Sequence, residues 1–148
     1  MSKVDEDIAT QVSDVPPKKR PATSNMKRIL IVDDEKDVVY LFALILEDNG
    51  YLVDTYTNSI MALAEFTANY YDVIILDYRM EGLNGLELYQ KIREVDKFAR
   101  AMLLTAAHEQ LELEENYKWF LRVVGKPVSG TTLLKEVAFV LGTNEESA

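Results

Sequence analysis

The sequence predicts a doubly wound α/β domain, a five-stranded parallel sheet with helices on both faces, and three observations carry that expectation. From Lys27 onward, short β-branched runs alternate with longer segments of helical period. One of the runs, Asp72 to Leu76, is apolar on consecutive residues, as in a strand buried on both faces. The connections are short, so each helix returns the chain to the same sheet as a crossover.

Taken in order, residues 1 to 26 come first and differ from the rest. They hold Pro16, Pro17 and Pro21 and no aromatic residue, and their four cations cancel their four acids. So little apolar surface cannot offset ordering entropy, so a flexible tail is expected, and Lys18-Lys19-Arg20 is too small a cluster to read as a targeting patch. Ile29 to Val32 is the first strand, Tyr51 to Tyr56 the second, Asp72 to Leu76 the third, Ala101 to Leu104 the fourth and Leu121 to Val124 the fifth. A first helix follows strand one through Val38 to Leu46. Ser59 can cap a second, carrying Ile60, Leu63 and Phe66, and Asn84 one carrying Leu86, Tyr89 and Ile92. Glu109 to Tyr117 is mostly acidic and is the weakest element. The last helix carries Leu133, Val137, Val140 and Leu141 and stops at Gly142. The domain is thus expected over residues 27–142, with a short tail at 143–148 and no output module attached.

Composition narrows the function. The 148 residues carry a formal charge of −9, all of it within residues 27–148, and no cysteine. Such a surface repels phosphate backbones and anionic membranes, so neither direct nucleic-acid binding nor membrane insertion is expected. The absence of cysteine excludes disulfides, thiolate metal sites and thiol nucleophiles. The longest apolar run, Val38 to Leu46, is nine residues, where a membrane span needs about 20. With no signal-type stretch at the N-terminus, a cytoplasmic protein is the default.

In a doubly wound sheet, ligands bind beyond the carboxyl ends of the strands, where strand order reverses. Here strand one ends in Asp33-Asp34, strand three in Asp77, strand four in Thr105, and strand five leads into Gly125-Lys126-Pro127. Ionised carboxylates about 5 Å apart repel by roughly 3 kcal/mol at an effective dielectric near 20. A positive partner or raised carboxyl pKa values must compensate, and Mg²⁺, which keeps several waters, suits a rim offering a few oxygens.

The segments Ile-Leu-Ile-Val-Asp33-Asp34-Glu35, Val-Ile-Ile-Leu-Asp77-Tyr-Arg-Met80-Glu-Gly-Leu-Asn-Gly85, Leu-Leu-Thr105-Ala106 and Gly-Lys126-Pro127 resemble the receiver domain of two-component response regulators. The resemblance covers residues 27 to about 142 with five signature positions in order. It implies a flavodoxin-like fold of strand order 2-1-3-4-5 and a single-domain receiver of the chemotaxis-regulator kind. By the same resemblance, Asp77 takes a phosphoryl group from the phosphohistidine of a histidine kinase or phosphotransfer protein. Asp33, Asp34, Asp77 and the backbone carbonyl of Arg79 hold Mg²⁺. Lys126 and Thr105 contact phosphoryl oxygens, Ala106 stays small to admit the donor, and the Lys126-Pro127 bond is cis. The chain would catalyse only its own phosphotransfer and dephosphorylation. Gly82 and Gly85 read as backbone turns and His108 as an ordinary loop residue.

Three departures from the family pattern stand out. Glu81 replaces the common proline. Arg79 is a long cation expected to lean over the acyl phosphate. Val123 stands where an aromatic switch residue is common, and Phe120 is expected to point to the opposite face by strand alternation. On the first helix, placing Val38, Leu41, Phe42, Ile45 and Leu46 inward leaves Val39, Tyr40, Ala43 and Leu44 outward. That apolar stripe is a docking candidate for the phosphodonor, with homodimerisation the runner-up. Signalling is then expected through contact with a further protein. The competing readings are a receiver-like module that works without phosphorylation, and a phosphatase on a related sheet, whose Asp-x-Asp after strand one is absent.

Overall fold

The computed structural model describes residues 25–106 and 119–142. Residues 1–24 of the tail expected over 1–26, the tail expected at 143–148, the helix expected over Glu109 to Tyr117 and His108 lie outside the described residues. Five parallel strands, β1 (Arg28–Val32), β2 (Leu52–Tyr56), β3 (Val73–Asp77), β4 (Ala101–Thr105) and β5 (Arg122–Gly125), form one sheet in the order β2-β1-β3-β4-β5. This is the predicted order. Among the described residues four helices flank it: α1 (Lys36–Asp48), α2 (Ser59–Ala64), α3 (Gly85–Val95) and α4 (Gly130–Leu141). None is long and apolar enough to cross a membrane.

The unbroken apolar run of β3 has the predicted cause. Val73 and Ile75 join Ile29 and Ile31 in a core with Val39, Phe42 and Leu46 of α1 and Leu133 and Val137 of α4. Ile74 and Leu76 point the other way, with Leu30 and Val32, into a second core with Ala62 of α2 and Leu88 and Ile92 of α3. Because side chains alternate along a strand, a strand covered on both sides must be apolar at every position.

The predicted caps hold in two helices and depart from the sequence in one. The Asn84 side chain accepts from the Glu87 backbone amide and the Glu87 carboxylate accepts from the Asn84 backbone amide, a complete capping box. Ser129 caps α4, and Gly142 ends it at φ 73°. For α2 the expected cap is displaced: Asn58 takes the role by accepting from Met61, and Ser59 becomes the first helical residue. That helix ends at Ala64, so Phe66 lies past it, packed on the second core from the connecting loop.

The first helix is rotated from its predicted phase. Val39, Phe42 and Leu46 are its buried residues, while Leu41 is 53% exposed. Val39, at 6% exposure, is therefore core and leaves the expected outward stripe, and Leu41 joins it. The reason lies in the nine-residue apolar run, which gives no polar position to fix the phase. Tyr40 and Leu44 remain outward as expected, and Ala43 is partly buried.

Candidate functional site

Strand register places the predicted residues on one rim. Val32 pairs with Leu76, so Asp33, which follows β1, emerges beside Asp77, the last residue of β3. Thr105 ends β4 and pairs with Gly125, which precedes Lys126. The gap between β1 and β3 is where strand order reverses, so the acids stand at the switch point.

Ligand-capable oxygens of Asp33, Asp34 and Asp77 lie within 4.8 Å of one another. Asp33 and Asp77 are 2% and 3% exposed, whereas Asp34 faces solvent. The Lys126 ammonium pairs with Asp77 Oδ1. Asp33 Oδ1 accepts from the Glu35 amide at 2.9 Å, but its Oδ2 is buried and unpartnered, as is Thr105 Oγ1. A buried oxygen without a partner is costly in a finished fold, and two on one rim mark a place arranged for something else.

The electrostatics agree. Burial pushes the Asp33 carboxyl up to about 6; the Asp77 and Glu35 charges add to the rise, and the Glu35 amide and Lys126 oppose it. For Lys126 burial works against the charged form, but its hydrogen bond to Asp77 and the charges of Asp77, Asp33 and Glu35 outweigh it and raise its pKa. Negative potential in excess of one ammonium, with an open carboxylate oxygen, fits a hard divalent cation of Mg²⁺ type.

The other predicted residues fall as follows. Ala106 directly follows Thr105 and is partly exposed. The exposed Arg79 places its guanidinium over the Tyr78 ring at 5.7 Å. The Lys126-Pro127 peptide is cis. Val123 pairs with Leu103 and packs, half-buried, on the core shared with α3. Phe120 corrects the sequence reading: it shares that core, its ring 4.8 Å from that of Tyr89. Strand alternation does not apply to it, because β5 starts only at Arg122.

Two contributors were not visible in the sequence. Gly85 is required by close approach, since a Cβ there would sit 2.6 Å from the Asp77 carbonyl oxygen and 2.7 Å from Leu103 Cδ1. Ser59, read as a cap, instead bonds the loop after β3. Its partners lie 22 and 24 residues away, beyond the reach of any local pattern.

Residues 29–138 match the family described as response regulator receiver domain. A response regulator receiver protein of Anaeromyxobacter sp. (strain Fw109-5) is 37% identical over 111 residues, 74% of this chain and 46% of that protein. The transcriptional regulatory protein ResD of Bacillus subtilis is 34% identical over 95 residues, 64% of this chain and 39% of that one. The chain thus spans less than half the length of these two relatives. Among solved structures, the response regulator protein TrrA of Thermotoga maritima in complex with Mg(2+)-BeF is 37% identical, with a TM-score of 0.70 over 78% of this chain and 100% of that one. The chemotaxis response regulator CheY4 of Vibrio cholerae is 30% identical, with a TM-score of 0.72 over 79% and 100%.

Proposed function

This chain belongs to the family of response regulator receiver domains, and from that membership we propose that Asp77 accepts a phosphoryl group from a phosphohistidine in a Mg²⁺-dependent step. The observation that carries this reading is the cluster of Asp33, Asp34 and Asp77 within 4.8 Å, with Lys126 paired to Asp77. Asp33, Asp34, Asp77 and the Arg79 carbonyl would hold the metal. Bound there, Mg²⁺ supplies positive charge that offsets the acidic rim and polarises phosphoryl oxygens.

The residues divide the work. An Asp77 carboxylate oxygen forms the bond to phosphorus as the phosphorus–nitrogen bond of the donor breaks, its electron pair returning to the imidazole. Lys126, already on Asp77, is positioned to pair with a phosphoryl oxygen as charge develops. The Thr105 hydroxyl, buried and unpartnered in this state, has a proton to donate to another. The chain catalyses only its own phosphorylation and dephosphorylation in this reading, and acts in the cytoplasm.

The donor would be a histidine kinase or phosphotransfer protein. An apolar cleft of about 410 Å³ opens beside Lys126, lined by Glu35, Val38, Leu41, Phe42, Pro127 and Val128. With the outward Tyr40 and Leu44, it offers a helix of the donor an apolar seat next to the phosphoacceptor. Output would pass by contact to a second protein.

Intact mass after incubation with acetyl phosphate tests the reading. A phosphoryl-sized gain is expected with Mg²⁺, and none with chelator or in Asp77→Asn. A wild-type chain that gains no mass would instead support a phosphorylation-independent interaction module.

A further inference from the structure

The loop after Asp77 is fastened by one hydroxyl from another element. Ser59 is 1% exposed, and its Oγ donates to the Glu81 carbonyl at 3.0 Å and accepts from the Leu83 amide at 2.9 Å. A single group thus closes the backbone on both sides of Gly82. Gly82 takes φ +86°, and a Cβ there would come within 3.0 Å of Ser59 Oγ and 3.2 Å of Ile60 Cγ1. Both the conformation and the close approach require glycine.

The bracing has a consequence one residue away. Glu81 presents its amide to Asp34 Oδ2 at 3.3 Å, at the long end of the hydrogen-bond range. Proline, common in this slot among receivers, has no N–H to offer. Asp34 is the exposed member of the acidic cluster, so its carboxylate gains most from an outer partner that limits its rotation.

We propose that Ser59 is a positioning residue for the metal site: by locking the turn at 81–83 it aims the Glu81 amide at Asp34 and fixes the loop that carries the Arg79 carbonyl. The proposal rests on the reading of the rim as a Mg²⁺ site. It also assigns a use to Glu81, whose backbone rather than its side chain is what the site exploits.

Calorimetric titration of the full chain with Mg²⁺ tests it, alongside melting curves. Ser59→Ala is expected to weaken Mg²⁺ binding about tenfold, the lower end of what losing an outer-shell partner does. Glu81→Pro should weaken it comparably, and Glu81→Gln, which keeps the amide, should not. The Asn58 side chain caps the same helix by accepting from the Met61 amide, so Asn58→Ala should lower the melting temperature and leave the affinity unchanged. Binding by Ser59→Ala within twofold of wild type overturns the proposal, as does an equal loss in Asn58→Ala, which would make helix stability the cause. Should Ser59→Ala not fold, Glu81→Pro decides: unchanged affinity there removes the link to Asp34 and overturns the proposal. A wild-type chain that takes up no Mg²⁺ overturns the metal reading itself, and this proposal with it.

Discussion

The two ends of the same sheet differ in how far their polar groups are matched: the open group at the amino ends is a single donor, and those at the carboxyl ends are two oxygens beside a cluster of acids. At the amino ends of the strands, most groups are matched to one another, although Arg28 Nε is buried there without a partner. The Arg28 amide donates to Asp72 Oδ2 at 2.8 Å, while its guanidinium donates to the Tyr70 hydroxyl at 2.6 Å and stacks on that ring. The Asn69 amide donates to Asp96, and the Tyr89 hydroxyl to the Ala99 carbonyl. At the carboxyl ends, three carboxylates crowd around one ammonium, and Asp33 Oδ2 and Thr105 Oγ1 are left open. The first arrangement serves the fold; the second costs the fold stability, and that cost identifies the chemistry the rim is arranged for.

The strongest way to break the contrast is Asp33→Asn. The wild-type Asp33 carboxyl titrates near 6 instead of 3.8, so the folded chain holds its proton more tightly than the unfolded one. Its contribution to stability is complete below pH 4 and is lost as pH rises through about 6. At pH 7, without metal, Asp33→Asn should therefore be more stable than wild type by up to about 3 kcal/mol, since each tenfold difference in proton affinity between folded and unfolded chain is worth roughly 1.4 kcal/mol. It should also lose the Mg²⁺-induced rise in melting temperature expected of the wild-type chain. Melting curves with and without Mg²⁺ at pH 7 check both; a destabilised Asp33→Asn would mean the rim is structural like its opposite.

At the matched end the same kind of change should act in the opposite direction. Asp72→Ala leaves the part-buried Arg28 amide at the start of β1 without its acceptor, a loss of about 1 kcal/mol, near the lower end of the cost of an unsatisfied donor. Acetyl phosphate labelling of Asp77 in the folded variant should be unchanged. Urea unfolding and intact mass separate the two effects; a drop in labelling at temperatures where the variant is folded would couple the two ends.

How much of this was legible in the sequence follows from which interactions are local. The unbroken apolar run of β3, the capping box at Asn84 and the αL stop at Gly142 each depend on a few consecutive residues, and the strand-end acids are brought together by topology alone. The phase of α1 was not legible, because a run apolar at every position suits several rotations, and burial of Val39 is decided by the sheet it meets. Phe120 was misplaced because alternation was extended past the true start of β5. The Ser59 brace and the space demanded at Gly85 depend on chain segments that meet only in the fold.

The smallest effect expected lies on the β2 side of the sheet, where tyrosine hydroxyls are matched to carboxylates. Burial raises the Tyr71 hydroxyl above its ordinary pKa of 10.0, helped by its 2.7 Å hydrogen bond to Asp54, and burial and Glu65 do the same for Tyr56. Both are neutral donors in the fold, so their stabilisation is complete below pH 10 and is lost as pH rises above it, because ionisation favours the unfolded chain. Stability should accordingly fall above pH 10, and absorbance near the tyrosinate band should show these hydroxyls ionising only as the chain unfolds. Tyr71→Phe removes one of them for about 1 kcal/mol or less at pH 7 and should flatten the alkaline limb of the stability curve. Free titration of every tyrosine in the folded chain near pH 10 would show that these hydroxyls are not held as the matched groups are, and that the contrast with the carboxyl rim does not extend to this side.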